Sequence, residues 1–280
     1  MPTAPSSRFR DAGPLEALGD WLRFLPLGRG TRTWLKHLHH SALMIRTGGR
    51  GLASKFPGGE TVYLTPAYRC LSWNPVEYAA FRGAVRPGAI VLDVGANAGA
   101  YSLLLGQWTG PTGRVYAFEP APLEFDGLVR HVALNGMTAI VEPVCAAVSD
   151  TLARARFVAG EGAGQGRLAA EADTHAQAVT VSVTTIDAFC AREHIVPAFI
   201  KIDVEGSEIA VLRGARDTLR RQRGRVAVFM EVHPGTWPHI GTSREALEDE
   251  LRAQDLTLEP LAPMEDWFAV EGMCLRVVPR

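Results

Sequence analysis

The chain has 280 residues, 47% of them hydrophobic, enough for one large core or a core with a small appendage. A formal charge of −1 gives no global pull toward nucleic acid. The four cysteines, Cys70, Cys145, Cys190 and Cys274, stand far apart without a C-x-x-C spacing, which argues against a zinc knuckle or a disulfide framework and fits a reducing cytoplasm.

No stretch approaches the roughly 18 apolar residues of a membrane span, and "MPTAPSSRFRDAG" at the start lacks the apolar run of an export signal. A soluble, cytoplasmic protein is therefore expected. Up to residue 55, Arg8, Arg10, Arg23, Arg29, Arg32, Lys36, Arg46, Arg50 and Lys55 stand against Asp11, Glu16 and Asp20, a local charge of about +6. This part reads as a solvated helical cap, with a patch for a membrane surface or an anionic partner as the alternative. Its "HLHH" run, His37, His39 and His40, has no carboxylate or cysteine beside it and reads as polar surface rather than a metal site. In "PAYRCLSWNPVEYAAF" (66–81), Tyr68, Trp73 and Tyr78 either pack in the core or form a wall over a ligand. Residues 1–80 are expected to form this N-terminal cap segment and residues 81–280 one α/β domain.

From about residue 85 the pattern turns regular. Apolar runs at 89–94, 114–119, 140–148, 198–204 and 225–232 read as strands buried on both faces. Between most of them lie helical spacings, at 99–108, 122–135 and 206–222, with a further one at 243–253 after the last. Such alternation predicts right-handed βαβ crossovers and a mostly parallel sheet covered on both sides. Strand candidates at 256–260 and 273–278 complete a seven-stranded sheet. Ligands of such sheets sit at the carboxyl ends of the strands.

At the first such end, "VLDVGANAGAYS" (91–102), Gly95 and Gly99 bracket a tight turn that lets the backbone approach a ligand, and the helix that follows offers free N–H groups. Asn97 breaks a G-x-G-x-x-G pattern, so a nucleoside without phosphates fits better than a pyrophosphate. Asp93 either fixes this loop or faces a positive part of the ligand. At the second end, Glu119 lies 24 residues beyond Gly95, placed to accept hydrogen bonds from both ribose hydroxyls. Alone it could equally cap the helix that begins near Pro122.

With "VTTIDAF" and "FIKIDVEGSEIAVLRGA", these segments, in this order and spacing, resemble the FkbM family of S-adenosylmethionine-dependent methyltransferases, over about residues 75–235. The resemblance implies a class I methyltransferase fold with strand order 3-2-1-4-5-7-6, the seventh antiparallel. It implies S-adenosyl-L-methionine as methyl donor and a hydroxyl as the usual acceptor, often on a sugar or a polyketide. By the same similarity Gly95, Asn97 and Gly99 line the methionine side, Glu119 holds the ribose, and Ser149 or Asp150 of "CAAVSD" lies near the adenine. Glu77 stands where the family often has an acid close to the cofactor.

On a strand, residues two apart share a face, so Asp203 and Glu205 of "IKIDVEGSE" point together into the cleft. Glu208 falls in the first turn of the next helix, where a carboxylate also suits the helix dipole. Methyl transfer from a sulfonium is mostly a matter of positioning, but an alcohol needs a base or a metal to become a competent nucleophile. Asp203 is the first candidate. Glu231 and His233 of "FMEVHP" face the same cleft from the next strand. Asp203 and Glu231, with His233 or with Glu205, suit Mg²⁺ or Mn²⁺; alternatively His233 serves as the base, and the same residues form a metal-free network that binds sugar hydroxyls.

The Gly- and Ala-rich stretch at 160–178 reads as a flap over the acceptor or as a plain insertion. The N-terminal segment is expected to help close the acceptor site or to form a homodimer contact. Rival functions are less well matched: a nicotinamide-dependent oxidoreductase expects the G-x-G-x-x-G that Asn97 breaks, and a nucleic-acid methyltransferase expects a basic stripe with interleaved aromatics. A non-catalytic cofactor-binding scaffold leaves so many acids at one cleft without a purpose.

Overall fold

The computed structural model describes residues 28–68, 71, 73–159, 166–168, 178–264 and 266–280. The first element, helix α1 (Arg29–Arg46), tucks Leu43 and His39 against the body. An antiparallel hairpin follows, β1 (Leu52–Lys55) with β2 (Thr61–Leu64), so the segment expected to be a helical cap also contains strands. Helix α2 (Pro75–Ala84) starts where Asn74 accepts a hydrogen bond from the Val76 N–H and where Pro75, lacking its own N–H, costs nothing. Phe56, Val62, Leu64 and Phe81 of these elements share a core with the main sheet.

That sheet has seven strands in the order β12-β13-β11-β10-β3-β4-β5, formed by Leu256–Pro260, Met273–Pro279, Ala227–Val232, Phe199–Ile202, Ile90–Val94, Arg114–Phe118 and Val141–Val144. Renumbered among themselves in chain order, the strands run 3-2-1-4-5-7-6, and β13 is antiparallel to both of its neighbours, as expected. Helices α3 (Ala100–Thr109), α4 (Pro122–Leu134) and α5 (Ile186–Glu193) fill the crossovers. Every residue of β10 is buried, which is why its sequence reads as a continuous apolar run broken only by Lys201.

Alternation sorts the central strands into two faces. One face presents Leu92, Val94, Ile200, Ile202, Met230 and Val232 to one core. The other presents Val91, Phe199 and Phe229 to a second core. Nearer the carboxyl ends of the same strands, that second face carries Asp93, Lys201 and Glu231. In register, Lys201 stands opposite Asp93 of β3 and Phe229 of β11.

Two of the predicted elements divide. The run at 140–148 breaks after β5, where the Ala146 N–H folds back onto the Val144 carbonyl, and Ala147–Val148 joins a separate sheet as β6. That sheet, in the order β6-β9-β7-β8, adds Val179–Thr184, Ala153–Ala159 and Gly166–Leu168. The helical spacing at 206–222 becomes α6 (Glu208–Arg213) and α7 (Arg216–Arg221). Gly214 lies between them because a Cβ there would strike the Ser149 carbonyl. Helix α8 (Arg244–Ala253) closes the set. Among the described residues no helix is long and apolar enough to cross a membrane, and Cys145, Cys190 and Cys274 are free thiols, Cys70 lying outside the description.

Candidate active site

Two adjoining clefts open at the carboxyl ends of β3, β4, β10 and β11. Gly95, Asn97, Glu119, Ala147, Leu168 and Asp203 line the first. His233, Thr236, Glu271 and Gly272 line the second, and Gly166, Arg167 and Glu205 border both. Most of the stretch read as a flap lies outside the described residues; the part that is described, β8, forms this shared border.

The first cleft is built on the turn after β3. Gly95 adopts φ +81°, and a Cβ there would run into the Asp203 carbonyl. Asn97 tolerates φ +51°, and Gly99, at +85°, caps α3. The loop is pinned by Glu119, whose two oxygens accept the Asn97 N–H at 2.8 Å and the Ala121 N–H at 2.8 Å. Burial raises the Glu119 carboxyl to about 7 despite those two donors. His131 supports the turn from behind: its Nδ1 donates to the Ala98 carbonyl at 2.8 Å, and Nε2 accepts the Thr65 N–H at 3.0 Å.

Asp93 does not reach the cleft. It is fully buried beneath it, accepting the Ser102 hydroxyl at 2.6 Å, while its other oxygen, without a hydrogen bond, faces the Lys201 ammonium at 3.8 Å. Ser149 and Asp150 lie beyond the described wall of the first cleft, which is formed here by Ala146, Ala147 and Val148. The Ser149 N–H donates to the Thr184 carbonyl as the chain is drawn into the second sheet, Asp150 is exposed, and the Ser149 hydroxyl lies 3.4 Å from an Asp150 oxygen.

Asp203, Glu205, Glu231 and His233 converge. From His233 Nε2 the nearest carboxylate oxygens of Glu231, Asp203 and Glu205 lie at 3.6, 3.9 and 4.0 Å. One ligand atom each from Asp203, Glu231 and His233 falls within 4.8 Å of the others, close enough to hold a cation. Glu208 turns away from the cleft and holds His233 in place. Fully buried, it accepts His233 Nδ1 at 2.8 Å, the Gly206 N–H at 3.0 Å and the Trp237 indole N–H at 2.9 Å. Burial opposes a charge on His233, but the bond to Glu208 and the carboxylates around Nε2 overcome it and raise the imidazole to about 11. His233 is an imidazolium at neutral pH.

Sequence reasoning passed over the second buried cation. Lys201 donates to Asp203 Oδ2 at 2.7 Å and lies over the Tyr101 ring at 5.5 Å. Burial disfavours its charge, yet Asp203, Asp93 and Glu231 raise its pKa. The rule that paired Asp203 with Glu205 also places Lys201 on that face, so the signal was present two residues upstream. Behind Lys201, Glu77 on α2 accepts the Tyr101 hydroxyl at 2.6 Å, and burial together with Glu231 raises it to about 7.

Among solved structures, a methyltransferase FkbM from Methylobacillus flagellatus is 18% identical, with 76% of this chain and 52% of that one covered and a TM-score of 0.44. An O-methyltransferase from Bacillus cereus, in complex with S-adenosylhomocysteine, is 12% identical over 94% of this chain and 97% of that one, TM-score 0.46. Fibrillarin from Aeropyrum pernix, with natively bound S-adenosyl-L-methionine, is 17% identical over 81% and 82%, TM-score 0.45. Among curated proteins none matches the chain. The model of the methyltransferase FkbM domain matches residues 93–256, from the buried Asp93 through the whole of the acid cluster into β12, and the chain belongs to that family of S-adenosylmethionine-dependent methyltransferases.

Proposed function

We propose that the protein transfers a methyl group from S-adenosyl-L-methionine to a hydroxyl of a small molecule, sugar or natural product. The carrying observation is the adjacency of the two clefts: a turn and buried acid suited to a nucleoside open directly onto a second cleft floored by carboxylates. In this reading Glu119 accepts the ribose hydroxyls, Gly95 and Asn97 pass along the methionine side, and Ala146–Val148 flank the adenine.

The acceptor oxygen attacks the methyl carbon, the carbon–sulfur bond breaks with its electrons going to sulfur, and the hydroxyl proton must leave. His233 is already protonated, so it serves as a fixed positive charge rather than as the base. Asp203 and Glu231, the two carboxylates beside it, take that role. Lys201 occupies one oxygen of Asp203 and leaves the other toward His233 and the acceptor. Burial and the neighbouring Asp203 raise the Glu231 carboxyl, which makes it a better proton acceptor near neutrality.

Asp203→Asn is expected to abolish methyl transfer to a panel of alcohol acceptors while calorimetric affinity for S-adenosylhomocysteine stays within about threefold. Equal loss of both would assign Asp203 to the cofactor site or the fold instead. Failure of the unmodified protein to bind S-adenosylhomocysteine would remove the reading altogether. Binding without turnover on any acceptor would favour a scaffold.

The convergence of Asp203, Glu231 and His233 supports a second reading, in which these residues with Glu205 hold Mg²⁺ or Mn²⁺ and the ion lowers the pKa of the acceptor hydroxyl. The ion would have to displace the proton on His233 Nε2. Titration with S-adenosylhomocysteine after chelator treatment, with and without Mn²⁺, separates the two: unchanged heat and affinity leave the metal-free network.

A further inference from the structure

Helix α1 carries an apolar stripe on its outer side. Trp34, Leu38 and Ile45 are 61%, 48% and 81% exposed, although each is large and hydrophobic. At about 100° per residue they fall within an arc of about 40° and span about 17 Å along the axis. His39 and Leu43, which anchor the helix, lie on the opposite side and are buried. Among the described residues nothing covers the stripe, which is a face of a docked helix and not a by-product of fraying.

Charge identifies the occupant. Residues 28–59 contain Arg29, Arg32, Lys36, Arg46, Arg50 and Lys55 and not one aspartate or glutamate. Lys36, Arg46, Arg50 and Lys55 are exposed. A second copy of the chain docking stripe to stripe would bring these like charges together with no acid from either α1 to compensate. An anionic lipid surface supplies the missing sign and at the same time an apolar layer. Trp34 suits the boundary between the two, and the long basic side chains can reach back to the headgroups while their stems stay in apolar surroundings.

We propose that α1 lies in the plane of an anionic membrane surface, with Trp34, Leu38 and Ile45 inserted among the lipids and the exposed basic residues at its C-terminal end, Arg46 and Arg50, on the headgroups. The binding is peripheral and reversible, since three inserted side chains and a few charges fall far short of a spanning segment. It rests on α1 alone and stands or falls independently of the methyl acceptor.

The test is co-sedimentation of the full chain with vesicles of phosphatidylcholine alone or mixed with phosphatidylglycerol. Association with the mixed vesicles, none with phosphatidylcholine, and release by high salt are expected. The double variant Leu38→Ser, Ile45→Ser should weaken the association by about tenfold. Its melting temperature and affinity for S-adenosylhomocysteine should not move, because both side chains are exposed and distant in sequence from the clefts. Absence of binding to the phosphatidylglycerol vesicles overturns the proposal, as does equal binding by the double variant. A concentration-dependent dimer that this variant turns into a monomer would also overturn it, assigning the stripe to a second copy.

Discussion

At Glu119 two influences oppose each other and burial prevails: it favours the protonated carboxyl, while the N–H groups of Asn97 and Ala121 favour the ionised one. With the carboxyl at about 7, ribose hydroxyls meet a full acceptor only above neutrality. Affinity for S-adenosylhomocysteine should therefore strengthen between about pH 6 and pH 8. Glu119→Gln should bind at least about tenfold more weakly and lose that dependence; a pH-independent affinity in the unmodified protein would count against the ribose role. Such a residue is legible in sequence because a strand end has a fixed place relative to the glycine turn. For Asp93 the sequence leaves two roles open, fixing the loop or facing the ligand. Sequence shows that an acid closes β3 but not that Ser102, one turn into α3, draws it beneath the cleft. Before Ser149 and Asp150, the break at Cys145–Ala146 carries the chain out of the main sheet, a backbone event that no residue type there announces.

Elements read from periodicity alone came close to their observed bounds wherever one unbroken element filled the segment. The strands at 256–260 and 114–118 are examples, and so is α4, whose Pro122 marks the first helical residue. The division of α6 from α7 escaped because its cause is tertiary: Gly214 must pass the Ser149 carbonyl. Glu250 then ties both short helices to α8. Glu250, its side chain only 3% exposed, accepts Arg213 Nε at 2.9 Å and Arg216 Nη2 at 2.7 Å. Both arginines are about half exposed, so water can take over their hydrogen bonds if Glu250 is lost. Glu250→Ala should accordingly cost about 1–2 kcal/mol in denaturant unfolding, not the larger penalty of stranding a buried charge. A loss above about 3 kcal/mol would mean that the helix pair itself detaches. The second sheet had no comparable signature, since β6 and β8 are two and three residues long.

For the molecule as a whole, two buried histidines shape the dependence of stability on pH. Burial holds His131 below the ordinary 6.5, so its stabilising contribution is complete above that value and is lost as pH falls through it toward the folded-state pKa. His233, raised from 6.5 to about 11, contributes fully below 6.5 and loses that contribution as pH rises from there through 11. Below neutrality Glu77 and Glu119, both raised to about 7, act in the opposite sense to His131, each gaining stability as pH falls toward 4.5, so melting temperatures should fall away on the alkaline side. His233→Gln should flatten that alkaline fall; a variant that merely lowers the entire curve would assign His233 a packing role only. The main sheet also has a temporal order built into it. Strand β13 lies between β11 and β12 and is the partner of each. During synthesis, β11 therefore waits as an open edge while α8 and β12 emerge, and β12 has no place to pair until residues 273–279 have cleared the ribosome. The last strand made is the one that locks the sheet, so a nascent chain stalled before it presents an unpaired strand beside an acid cluster whose walls are not yet in place.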